Sequence, residues 1–184
     1  MATGSSLLVT LLAAVVVASA GGGVAVDTVA DSCNAIRDFV EVGFCEAALR
    51  SSPGAATADR HGHLLIAADL AAARGHSARD AAAAALARGR GEGGDDPGAR
   101  DGLEACGILY GSSVPALRLM RGYAASRSWE AARSLLWLSG QAGMGCAAAL
   151  DEPAAAAARM DRANEDFSLL TTMATALLNS VTSS

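Results

Sequence analysis

LEACGILYGSSVPALRLMRGYAASRSWEAARSLLWLSGQAGMGCAAAL, residues 103–150, is the stretch whose spacing decides the fold. Leu103, Cys106, Tyr110, Ser113, Leu117, Met120 and Ala124 recur at steps of three and four, and so do Trp129, Ala132, Leu136, Ser139, Gly143, Cys146 and Leu150. Each set forms one apolar stripe along a helix, which is the pattern of bundle helices packed side by side. A turn near Ser126 separates them, with Cys106 about twenty residues before it and Cys146 about twenty after it. In antiparallel neighbours the two cysteines therefore stand at one height, where a disulfide fits. Pro115 is the local conflict, because a proline inside a helix lacks the amide donor and is expected to kink it.

Downstream, Met160, Ala163, Phe167, Leu170, Ala174, Leu177 and Val181 continue the same alternation, after Asp151-Glu152-Pro153 has supplied acids and a proline suited to a helix start. Upstream, residues 55–88 contain no proline and are dominated by alanine, the best helix former, so they read as one long helix that Gly75 would bend. Its packing surface is mostly alanine, which allows close approach of neighbours. The glycine-rich run from Gly89 reads as a linker ended by Asp96 as N-cap and Pro97 as first helical residue. Val26, Val29, Ile36, Val40 and Phe44 surround two further cysteines and suggest a short helical hairpin over about residues 24–51, ended by the break at Ser52-Pro53. The expected architecture is all-α: an up-down-up-down four-helix bundle over about residues 55–182 with an N-terminal helical hairpin and two disulfides.

Composition agrees, since aromatic residues are only 4% and no sheet-forming run of β-branched residues follows the hairpin. Residues 7–17 form an apolar run of signal-peptide length, followed by Ala18-Ser19-Ala20 and then three glycines, too short to span a membrane. Residues 1–20 are therefore expected to be a signal peptide and residues 21–184 a secreted, extracellular domain with no membrane attachment in the mature form. Four cysteines in an exported chain read as two disulfides. Three connectivities exist, and the close early pair Cys33 and Cys45 with the wide late pair Cys106 and Cys146 is favoured over crossed arrangements. No C-x-x-C pair occurs and the histidines lie far from the cysteines, so no metal and no cofactor is expected. A net charge of −5 without a basic patch excludes nucleic acid as a partner.

No catalytic constellation emerges. Asp59 and His63 are four apart, but no third partner follows and a solvated helix face is the simpler reading. Ser112 and Ser113 lack a nucleophile elbow, and their bland role is to let helices approach. The glycine-rich linker has no lysine followed by serine or threonine. Trp129 and Tyr110 lie on inward stripes, where packing comes before binding.

These features together resemble the plant invertase and pectin methylesterase inhibitor family. The resemblance rests on Phe44-Cys45 followed by Leu49 and Ser52-Pro53, the alanine-rich helix, Cys106 with Tyr110 four residues on, Cys146 forty residues after Cys106, and the apolar last helix. It implies a secreted, apoplastic protein that occludes the active site of a cell-wall enzyme. The implied partner is pectin methylesterase or acid invertase. Two departures stand out. Residues 34–44 between the first cysteines carry neither the threonine nor the proline of other members, and Arg127-Ser128-Trp129 stands where invertase inhibitors carry Pro-Lys-Phe. The second tilts the target toward pectin methylesterase and marks Arg127 and Trp129 as the expected target contacts. The rival reading is a non-inhibitory bundle that holds a small ligand, a wall polymer or a signalling partner, with Gly111, Ser112, Ser113, Gly140 and Gly143 leaving room between helices. The oligomeric state is left open.

Overall fold

In the computed structural model, residues 26–91, 96–150 and 154–183 are described. The proposed signal segment, the Asp151-Glu152-Pro153 helix start and most of the glycine-rich linker lie outside the described residues.

Among the described residues six α-helices form: α1 (Thr28–Ala35), α2 (Val42–Arg50), α3 (Arg60–Gly91), α4 (Pro97–Ala125), α5 (Trp129–Ala149) and α6 (Ala154–Thr182). Local chemistry sets most of the starts. The carboxylates of Asp27 and Glu41 accept from the free amides of Val29 and Ala30, and of Gly43 and Phe44, at the heads of α1 and α2. Asp96 accepts from the Gly98 amide at 3.0 Å, with Pro97 as the first residue of α4. The long third helix begins later than the alanine run suggests. Ala55–Thr57 is instead a 3-10 turn entered through Gly54 at φ 83°, and α3 starts at Arg60, where the Asp59 side chain accepts from the Gly62 amide at 2.7 Å. At the other end α3 runs through Gly89 to Gly91, residues that read as linker in the sequence. The α4 helix continues without a break past Pro115.

Helices α3 to α6 pack in a ring, each against its sequence neighbours, with α6 closing on α3. The pairings run antiparallel throughout. Cys106 meets Cys146 while the Ser113 hydroxyl donates to the Ser139 carbonyl at 3.3 Å. Arg133 reaches Asn179 and Gly140 faces Thr171. His61 reaches Ala124 and Gly75 faces Val114. This is the up-down-up-down bundle. The α3 face consists of Leu64, Ala67, Ala68, Ala71, Ala78, Ala82 and Ala85, all fully buried, so its neighbours come close. At Gly75 an added Cβ would lie 3.0 Å from Phe167 Cε2, and the aromatic ring occupies the space that the missing side chain leaves. Tyr110 fills the centre with its ring edge-on to Phe167 (centroids 5.1 Å), and its hydroxyl donates to Asn164 Oδ1 at 2.6 Å. Burial pushes the Tyr110 phenol above its ordinary range.

The hairpin α1–α2 is closed by Cys33–Cys45 and docks on the start of α3 through a buried histidine. His63 is fully buried, which corrects the expectation of a solvated Asp59–His63 face. The Ala55 carbonyl 2.8 Å from Nε2 can only accept, so Nε2 carries a proton, while Nδ1 shares a hydrogen bond with the Ser32 hydroxyl, also at 2.8 Å. One ring thus joins α1, the 3-10 turn and α3. Replacing His63 by alanine removes both bonds and leaves a cavity, and it is expected to cost about 2 kcal/mol in urea unfolding. Ser32→Ala, which orphans only Nδ1, should cost about 1 kcal/mol.

Candidate functional site

The end of the bundle that carries the hairpin gathers the polar and aromatic groups that the core does not use. Helix α4 terminates there in a Schellman motif. The Arg127 amide donates to the Ala124 carbonyl at 2.9 Å and the Ser128 amide to the Tyr123 carbonyl at 2.8 Å, which places Arg127 at the left-handed position with φ 59°. Glycine is the usual residue there because a Cβ in this region costs roughly 1–2 kcal/mol. The guanidinium of Arg127 is exposed and forms no hydrogen bond or ion pair among the described residues. A strained, unpaired arginine at a turn tip is a functional hint and not a stabilising feature.

Trp129, two residues on, is half-buried and meets His61 edge-on with centroids 5.6 Å apart. His61 Nε2–H donates to the Ala124 carbonyl at 2.9 Å, so the first turn of α3 props the indole from beneath. His61 therefore has a structural partner on α4. The hairpin is fastened to the same end by Arg60–Asp31 at 2.7 Å, while Arg50–Asp27 at 2.6 Å ties α2 to the head of α1. The Arg50 guanidinium and the helix-head amides hold the Asp27 carboxyl below its usual range, and the Gly43 and Phe44 amides do the same for Glu41. Both groups are depressed in the folded protein. Their contribution is present above the unfolded carboxylate pKa and is lost only as pH falls through the lower folded values. The hairpin caps are thus expected to stay intact at mildly acidic pH, which carboxyl NMR titration of Asp27 and Glu41 would check.

Beside this end, α5 and α6 leave an open groove of about 500 Å³ with Phe39 of the hairpin at its rim. Phe39, Trp137 and Met144 line it and are 71%, 67% and 60% exposed. From Ser134 to Leu150 the α5 sequence contains no charged residue, so its outer face, which also exposes Leu138, is apolar over four turns. The stripe positions named from the sequence gave Trp129 and Leu136; Trp137 lies one residue to the side. Its exposure follows from packing, although Arg133, Trp137 and Met144 recur at helical spacing along the same face of α5.

Of the residues expected to matter, Cys33 is bonded to Cys45 and Cys106 to Cys146, all four fully buried. Arg127 and Trp129 lie together at the α4–α5 turn. The glycines expected to leave room for a ligand between helices do not all do so. A Cβ at Gly143 would meet Ser168 Oγ at 2.6 Å, and that site is filled by α6. Among the described residues no three histidine, cysteine or carboxylate side chains come together as a metal site, and no helix is long and apolar enough to cross a membrane.

No curated protein matches the chain. The family model described as plant invertase/pectin methylesterase inhibitor matches residues 27–177 of the 184, from the N-cap of α1 to the last full turns of α6. A hairpin stapled by Cys33–Cys45, the antiparallel ring of four helices and this match agree, and the chain belongs to the plant invertase/pectin methylesterase inhibitor family.

Proposed function

We propose that the protein is a secreted inhibitor that occludes the active site of a cell-wall carbohydrate enzyme, with pectin methylesterase the target in preference to acid invertase. Members of the family are inhibitors and not enzymes. The observation that carries the reading here is the bundle end described above, where an unpaired arginine is kept in a costly backbone conformation beside a propped tryptophan. Tryptophan and arginine are the residues most often found to dominate binding energy at interfaces. Two disulfides, a close-packed core and a bolted hairpin hold this end rigid, so little ordering entropy is lost on docking. Residues 1–20 act as the export signal, and oxidation of all four cysteines suits an extracellular destination.

The test is to titrate the oxidised mature protein into pectin methylesterase and into acid invertase at mildly acidic pH and follow residual activity. Stoichiometric loss of pectin methylesterase activity is the expected outcome. Loss of invertase activity alone would reverse the choice of target, and loss of neither would overturn the inhibitor reading. Arg127→Gly separates binding from stability. It should raise the urea midpoint, corresponding to about 0.5–1 kcal/mol from relief of the left-handed strain, while weakening inhibition about tenfold or more. A merely structural Arg127 would give the first effect without the second.

A further inference from the structure

From the chemistry of the α5/α6 groove we infer that it is a binding site for an acidic oligosaccharide, a short chain of uronate sugars, separate from the Arg127–Trp129 tip. Three observations converge on this ligand. The first is shape and surface. The groove encloses about 500 Å³, within the size range of small-ligand sites, and Trp137 stands 67% exposed in its wall. An exposed indole offers a flat apolar face on which the C–H face of a pyranose ring stacks, as the ring quadrupole attracts polarised C–H groups.

The second is the polar lining. Thr171 and Thr175 turn their hydroxyls back onto the helix carbonyls of Phe167 and Thr171 at 3.0 and 2.8 Å. The exposed Thr172 hydroxyl, between them, has no protein partner among the described residues, and Gln141 lies across the groove. Hydroxyl and amide groups at the edge of an aromatic platform match the alternating donors and acceptors of sugar hydroxyls.

The third is charge. The chain carries 19 acidic and 14 basic residues, yet no carboxylate lines the groove, and the single charged group there is Arg133. Seven other arginines make ion pairs with acids, namely Arg37, Arg50, Arg60, Arg74, Arg79, Arg100 and Arg121. Arg133 is held instead by two neutral acceptors, Asn179 Oδ1 at 2.6 Å and Thr182 Oγ1 at 3.2 Å. Its guanidinium is oriented while its charge stays uncompensated, which is the arrangement that recognises a carboxylate. A neutral sugar would leave this charge unused, and a cationic ligand would be repelled.

The inference does not rest on the inhibitor reading, and it is tested with no enzyme present. A uronate trisaccharide is titrated into the oxidised protein by calorimetry, with maltotriose as the neutral control. Binding of the uronate with a Kd of about 1 mM or tighter is expected. Trp137→Ala should weaken it about tenfold, and Arg133→Gln should weaken the uronate about tenfold while bringing it level with maltotriose. Both side chains are exposed, and an unchanged thermal midpoint for each variant shows that folding is not what the assay reads. Absence of uronate binding at about 10 mM overturns the proposal. So does equal binding of the neutral sugar by the unsubstituted protein, undiminished binding by Trp137→Ala, or a concentration-dependent dimer that Trp137→Ala dissociates, which would make a second copy the occupant.

Discussion

Replacing Cys106 and Cys146 together by alanine is expected to lower the free energy of unfolding by about 4 kcal/mol, as read from urea denaturation of the oxidised proteins. The bridge closes 40 residues of sequence, and the loss of chain entropy that it imposes on the unfolded state grows with the logarithm of that length. The same reasoning assigns about 3 kcal/mol to Cys33–Cys45, whose separation is 12. The longer bridge therefore matters more for global stability, while the shorter one governs whether the hairpin persists as a unit. Both are fully buried, so dithiothreitol should reduce them only at the rate at which the protein opens. Rapid reduction under native conditions, or a double variant within about 1 kcal/mol of the parent, would show that the bundle is held by packing alone.

Phe167→Ala is expected to cost a similar amount, about 4 kcal/mol, because the ring is fully buried at the meeting point of three helices. It packs edge-on to Tyr110 from α4 and fills the gap left by Gly75 of α3. That second contact makes a coupling prediction. Gly75→Ala should destabilise the parent protein, since its Cβ would lie 3.0 Å from Phe167 Cε2 and 3.2 Å from Val114 Cγ2. In the Phe167→Ala background the same substitution enters an emptied space and gains about 1 kcal/mol of helix propensity, so its effect should reverse in sign. A double-mutant cycle in urea measures the difference. Additive effects would mean that the two residues do not share one packing site.

Much of the fold was legible because it rests on local or periodic chemistry. Asp96-Pro97 marked the head of α4, the three-four alternation marked the inward faces of α4, α5 and α6, and equal distances from the Ser126 turn placed Cys106 beside Cys146. The start of α3 was not legible to the same degree. Alanine favours helix at residues 55–58 as strongly as beyond, and only the docking of the hairpin, with Ala55 bonded to His63, shows why the chain there forms a 3-10 turn. The same docking buries a histidine that looks solvent-facing from its neighbours, because its partner Ser32 lies 31 residues upstream.

The functional surface divides in the same way. Arg127 and Trp129 could be named from their position at a turn. The left-handed backbone of Arg127 could not, since Ser126-Arg127-Ser128 carries no glycine to announce it. Arg133, Trp137 and Met144 share one face of α5 through their spacing of four and seven, and only assembly brought Phe39 beside them. By itself the sequence determined the helices, their inward stripes, the cysteine pairing and the family, all of which depend on chain-local propensity and on spacing along one axis. The tertiary structure alone decided which apolar side chains stay uncovered and which charges go unpaired, because those properties depend on what remains at the surface once every helix has buried its stripe.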